Sequence, residues 1–149
     1  MRYIEKLINI KTIFFTIVAV LGGFLANVLG GFDDLLIALI ICMIADYITG
    51  LIVALVFKNS TKTLTGRAQS NVGYIGLVKK IFILILIIVV NQLDIITNTN
   101  GFLRNATIMG FIVNEVLSLI ENAGLMGISL PDPVINAIEI LKRKSEEKG

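Results

Sequence analysis

The sequence predicts an all-α integral membrane protein. It should have four transmembrane helices, N and C termini both cytoplasmic, and a short C-terminal amphipathic helix. Three observations lead there. Of 149 residues, 56% are hydrophobic and 16% charged, with a mean hydropathy of +0.89; a soluble domain carries nearer a quarter charged residues, so the surplus apolar surface needs lipid. The apolar residues gather into four segments, about 12–32, 35–57, 79–96 and 106–130. The Lys and Arg residues alternate about those segments: three before the first, none, five (Lys58, Lys62, Arg67, Lys79, Lys80), one (Arg104), and four after the last. That alternation satisfies the positive-inside rule for four spans, whereas three spans would leave Lys142, Arg143 and Lys144 outside. The chain 1–149 reads as a single multi-pass domain.

The first segment, Thr12 to Phe32, carries no charge. As a helix it is about 31 Å long, against a bilayer core of roughly 30 Å. Arg2, Lys6 and Lys11 precede it, as they would a secretory signal. The apolar run is longer than a signal core, however, and no clear small-x-small cleavage site closes it, so an uncleaved span is expected. Gly22, Gly23, Ala26 and Gly30 form a small-residue face of the kind that lets helices approach closely in lipid.

The second segment is interrupted only by Asp46, which shares a face with Ala38, Cys42, Thr49, Gly50 and Ala54. Gly50 is the expected packing position there. The third opens abruptly at Ile81 with IFILILIIVV and ends near Asn91 and Asp94. At roughly 24 Å it is short, unless Lys79 and Lys80 snorkel to the interface and extend it backwards. After the fourth segment, Asp132 is a plausible N-cap and Pro133 suits a first helical position. A helix over 132–144 would carry an apolar stripe of Val134, Ile135, Ile138 and Leu141. The basic cluster Lys142, Arg143, Lys144 follows, fitting a helix laid on an anionic leaflet.

Composition also excludes chemistry. Histidine is absent and Cys42 is the single cysteine, so no intramolecular disulfide and no His- or Cys-based metal site is expected. The commonest general base is missing. No cofactor is implied. A net charge of +2, spread over short groups, does not suit nucleic acid. Asp46 and Asp94 lack the surroundings of an aspartyl protease dyad, and GRAQSNVGYIG over 66–76 lacks the Lys-Ser/Thr pair of a phosphate loop. An enzyme is not expected.

The fourth segment contains NEVLSLIEN over 114–122. Asn114, Glu115, Ser118, Glu121 and Asn122 fall at helical spacing on one side. Each carboxylate costs about 2.5–3.5 kcal/mol at a helix centre, while the segment's eleven strong apolar residues return about 5 kcal/mol in all. A lone lipid-facing helix would be marginal. The polar side must pack inside one protomer, pack against copies of itself, or line water. Four carboxylates (Asp46, Asp94, Glu115, Glu121) share the membrane region, with Lys79, Lys80 and Arg104 expected only at its edges. Protonation or hydration is therefore expected to supply what pairing cannot.

From Asp46 onward, over about two-thirds of its length, the chain resembles the toxin-secretion/phage-lysis holins (phage holin family 4). The resemblance rests on Asp46-x3-Gly50, Gly76-Leu77-x-Lys79-Lys80, Leu93-Asp94, Asn114-Glu115-x2-Ser118-x2-Glu121-Asn122 and Gly127-Ile128-x2-Pro131 before a charged tail. The stretch 61–71 is longer than the usual loop of that family. The resemblance implies a phage or prophage protein of the bacterial host's inner (cytoplasmic) membrane. Its partners would be lipid and copies of itself, and its lesions would release endolysin or a toxin without binding that cargo specifically. Asp46, Asp94, Asn114, Glu115, Ser118, Glu121 and Asn122 are the candidates for self-association or pore lining. A small cation or proton channel, and a structural membrane subunit, are the competing readings.

Overall fold

The computed structural model describes residues 2–136, 139 and 140. Helix α1 is Arg2–Val28. Helix α2 is Asp34–Ile52 and widens into a π-helical last turn, Val53–Phe57. Helix α3 is Ser70–Thr97, and α4 is Phe102–Leu125. Among the described residues, four helices are long and apolar enough to cross a membrane. Residues 132–136, 139 and 140 are helical. The rest of the expected tail helix, with Lys142, Arg143 and Lys144, lies outside the described residues.

The helix ends differ from those expected, and local chemistry explains where. Gly30 and Gly31 take φ values of +80° and +99°, so α1 stops at Val28 instead of running to 32. Asp33 then caps α2, its Oδ1 accepting the Leu36 N–H at 2.9 Å, as a carboxylate at that position should. At the end of α3, Asn98 adopts the left-handed conformation. The N–H groups of Asn98 and Thr99 return to the carbonyls of Ile95 and Asp94. Gly127 does the same for α4: Gly127 and Ile128 bond back to Gly124 and Ala123. This motif closes a helix by satisfying its last carbonyls, and it ends α4 before 130.

Helix α3 starts at Ser70 rather than 79. Its added turns carry Gly73 and Gly76, which face the ring of Tyr47 in α2; a Cβ at either would stand 3.7–3.8 Å from that ring or its hydroxyl. The consequence is that Lys79 and Lys80 sit well inside a helix instead of at its start.

Short turns join α1 to α2 and α3 to α4 at one end, called here the turn end. The longer connection 58–69 lies at the other, the loop end. Helices α2 and α4 therefore run parallel, and they pack together along much of their length. Helix α3 runs against them, chiefly touching α4. Leu36, Leu39, Met43, Ile87 and Ile108 form the apolar core, closed at the turn end by Leu29. Among the described residues, helix α1 touches only α3 of the other helices.

Gly22 and Gly23 have no neighbour of their own chain within 4 Å of where a Cβ would lie. Those two positions of the small-residue face expected on the first span therefore pack on nothing among the described residues, while Ala26 is partly buried. Gly30 is not on that face at all; it belongs to the turn. Gly50 does face a helix, with Asn122 Nδ2 3.7 Å from its would-be Cβ. The outer surface is strongly apolar throughout, with Phe14, Phe15, Ile41, Ile44, Phe82 and Val89 all exposed. Such a continuous surface is unsuited to water.

Candidate functional site

The polar residues of the helices form two buried nodes, one towards each end of the α2–α3–α4 unit. At the turn end the centre is Arg104, only 4% exposed. Its Nε donates to the Leu29 carbonyl at 2.6 Å. Its Nη1 donates to Asp33 Oδ2 at 2.7 Å and to Asn105 Oδ1 at 3.0 Å. Its Nη2 donates to the Gly31 carbonyl at 3.1 Å and to Asp33 Oδ1 at 3.3 Å. Each of the five guanidinium N–H groups thus has an acceptor.

Asp94 belongs to the same node through the backbone. Its Oδ1 accepts the Thr99 hydroxyl at 2.5 Å and the Gly101 N–H at 2.8 Å, and its Oδ2 accepts the Arg104 N–H at 2.9 Å. It thereby caps the start of α4, where Gly101 has no side chain to do so. Asn91 completes the node by donating to the Val28 carbonyl at 3.0 Å. Gly30 is required here: a Cβ on it would lie 2.5 Å from Asn91 Oδ1 and 2.6 Å from Arg104 Nε. The Arg104 guanidinium, hydrogen-bonded to Asp33, holds that carboxyl below the usual range.

Nearer the loop end the centre is Lys80. Its Nζ donates to Asp46 Oδ2 at 2.8 Å and to Glu115 Oε2, so a single ammonium ties α2, α3 and α4 together. The side chains of Lys80, Asp46 and Glu115 are 13%, 9% and 10% exposed. Asn122 Nδ2 adds bonds to Asp46 Oδ1 at 3.2 Å and to Thr49 Oγ1 at 3.0 Å. The expectation that no basic residue reaches the membrane-region carboxylates is corrected for Lys80, which pairs with Asp46 and Glu115, while Arg104 pairs with Asp33 at the turn end. Each reaches a carboxylate because the helices begin earlier than hydropathy suggests: α3 at Ser70 and α4 at Phe102. Lys79, by contrast, is exposed.

The strip 114–122 divides. Glu115 and Asn122 are buried against α2 and α3, with Ser118 half-buried between them. Asn114 and Glu121 are exposed on an adjoining face. Neither takes part in any hydrogen bond or ion pair among the described residues. Residues one apart on a helix differ by about 100° in direction, so two i, i+7 pairs offset by one residue can face different neighbours. Gly110 and Gly124, also exposed, have open space where a Cβ would be.

Sequence reasoning passed over Arg104, Asp33 and Asn91 as site residues. One signal was available: in a four-span topology the two short turns share one side, bringing Asp33 and Arg104 together as opposite charges.

The chain matches a family profile described as the bacteriophage holin family over residues 23–143. It is 37% identical over 126 residues to an uncharacterized protein of Listeria monocytogenes, covering 84% of each chain. A probable holin of Bacillus phage phi105 is 30% identical over 110 residues, covering 74% of this chain and 76% of the phage protein. An uncharacterized 14.9 kDa protein of Clostridium perfringens is 30% identical over 125 residues, 83% of this chain and 89% of that one. No solved structure matches.

Proposed function

This chain belongs to the bacteriophage holin family, and from that premise we propose that it accumulates in the cytoplasmic membrane of a bacterial host, associates with copies of itself, and opens lesions at a set time of lysis. Family and fold make it a multi-pass membrane protein and a non-enzymatic one. Both termini and the 58–69 loop lie on the cytoplasmic side in this reading, with the tail helix on the inner leaflet, as the distribution of Lys and Arg favours. Endolysin or a toxin leaves through the lesion without a dedicated binding site.

The observation that carries the reading is the exposed edge of α4. Asp46, Asp94, Glu115 and Asn122 already have partners inside the protomer, whereas Asn114 and Glu121 have none among the described residues. A polar side chain facing hydrocarbon is unfavourable by about 2.5 kcal/mol or more when ionised near the centre, and less near an end. In a dilute membrane the edge is tolerated near the interface. In a crowded one, two such edges can meet, with Gly110 and Gly124 allowing close approach, or several can line water. The inward residues then hold the protomer together and the outward pair links protomers.

The test is the double substitution Asn114→Leu/Glu121→Leu, with release of a cytoplasmic enzyme followed after induction in a bacterium. Membrane insertion and protein level should be unchanged, while release is delayed several-fold or lost. Release on the normal schedule would remove this edge from the mechanism. Ion leakage from the unaltered chain, without escape of the enzyme, would instead favour a small cation channel.

A further inference from the structure

Helices α2 and α3 touch only sparingly, and two cavities fill the cleft between them. One, of about 250 Å³, lies under the 58–69 loop. It is lined by Ser60, Lys62, Gln69 and Lys79 and by the Asp46–Lys80–Glu115 node. The other, of about 220 Å³, is bounded by Ile40, Ile44 and Ile48 of α2 and by Leu77 and Leu84 of α3. Tyr47 and Lys80 border both. The cleft thus carries basic and polar side chains on a largely apolar lining beside the loop and is wholly apolar in its second cavity.

Charge narrows the occupant. Three lysines (Lys62, Lys79, Lys80) and two carboxylates (Asp46, Glu115) line the loop-side cavity, an excess of one positive charge. Lys58 and Arg67 stand in the same loop, and no acidic residue occurs between Asp46 and Asp94. The two carboxylates pair directly with Lys80, and Lys62 acts on Asp46 only through space; among the described residues neither Lys62 nor Lys79 forms an ion pair, so both ammonium groups can meet an incoming group. Both residues are exposed, and Lys79, about 14 Å from the start of α3, is placed to extend along the helix towards the interface.

We infer that this cleft binds one anionic phospholipid. Its singly charged phosphodiester lies between Lys62 and Lys79, with hydroxyls near Ser60 and Gln69, and one acyl chain descends past Tyr47 into the apolar cavity. The lipid fills the gap between α2 and α3 that their own side chains leave open. A zwitterionic phospholipid offers the same chain but no net charge, so the site discriminates by headgroup. The inference rests on the membrane-spanning placement of α2 and α3 and not on lesion formation, and lipid retention is read without any lysis.

The full chain would be extracted from a bacterial membrane in mild detergent and its retained lipids weighed by native mass spectrometry. One phospholipid per chain is expected, with phosphatidylglycerol enriched several-fold over its share of the membrane. Lys62→Gln/Lys79→Gln, two exposed substitutions, should leave the melting temperature of the delipidated protein unchanged. Together they should weaken retention by roughly fivefold for each lysine removed. Gly73→Leu, whose side chain enters the loop-side cavity beside Tyr47, should also expel the lipid. Retention of phosphatidylglycerol and phosphatidylethanolamine in membrane proportions would overturn the inference, as would undiminished retention by the double variant. Displacement of the lipid by millimolar inorganic phosphate would overturn it too, by assigning the cavity to a soluble anion.

Discussion

The two buried nodes solve the same electrostatic problem with different means. Each sets one cation against two carboxylates: Arg104 with Asp33 and Asp94, and Lys80 with Asp46 and Glu115. At the turn end, main-chain groups absorb the surplus. Asp94 is held by two backbone N–H groups and a hydroxyl, and Asp33 remains about half exposed to solvent. Nearer the loop end the donors besides Lys80 are side chains, Asn122 and Ser118 on Asp46, and a cavity adjoins the node. A guanidinium whose donors are all used permits one arrangement, whereas an ammonium with three rotatable donors permits several. The turn end is therefore a fixed junction, and the loop end is the part that can rearrange.

The sharpest way to break this comparison is Arg104→Met. It strips the turn end of five hydrogen bonds and leaves the Leu29 and Gly31 carbonyls without their donor. Loss of about 4 kcal/mol is expected, within the range for breaking a buried pair. The check is the chain's steady-state level in the membrane and its melting temperature in detergent.

Lys80→Met should cost less, about 2 kcal/mol, because Asn122 and the nearby Lys62 still stabilise Asp46. Adding Glu115→Gln should restore more than half of that loss, since it removes the charge that Lys80 had balanced. No restoration in the double variant would show that Lys80 acts by packing alone.

The smallest effect separates the nodes by pH. Hydrogen bonding to Arg104 is the largest influence on Asp33 and lowers its pKa from the ordinary 3.8; burial opposes it, and the Leu36 N–H assists. A carboxyl depressed on folding adds stability above its unfolded value, and that stability fades as pH falls below about 3.8 through the folded value. Exposure and solvent screening keep the effect small. Melting temperature in detergent should therefore fall slightly between pH 5 and pH 3. Asp33→Asn, which keeps the cap on α2, should flatten this part of the profile.

Much of the fold was legible because lipid-facing helices display their apolar character on the outside. The four spans, the tight turn after the first, and the polar character of Asp46 and Glu115 could all be read from hydropathy and spacing. The pairing could not. Lys80 looked interfacial because the turns before it, with Ser70, Asn71 and two glycines, have little hydropathic signal; their helical state is supported by Tyr47 from another helix. The burial of Arg104 was hidden because it depends on the convergence of two turns some seventy residues apart. The division of 114–122 into an inward and an outward pair turns on one helical step. Amphipathic reading over a nine-residue window does not resolve that.

The parallel course of α2 and α4 has one more consequence. Aligned peptide dipoles give each helix a negative pole of about half a charge at its C-terminal end, and both of these helices end near the 58–69 loop. Within the compact unit the opposed α3 cancels only one of them. A backbone field thus points along the unit before any side chain is counted, and Lys58, Lys62 and Arg67 gather at the pole that attracts them. At the loop end, side-chain charge and main-chain direction thus reinforce one another.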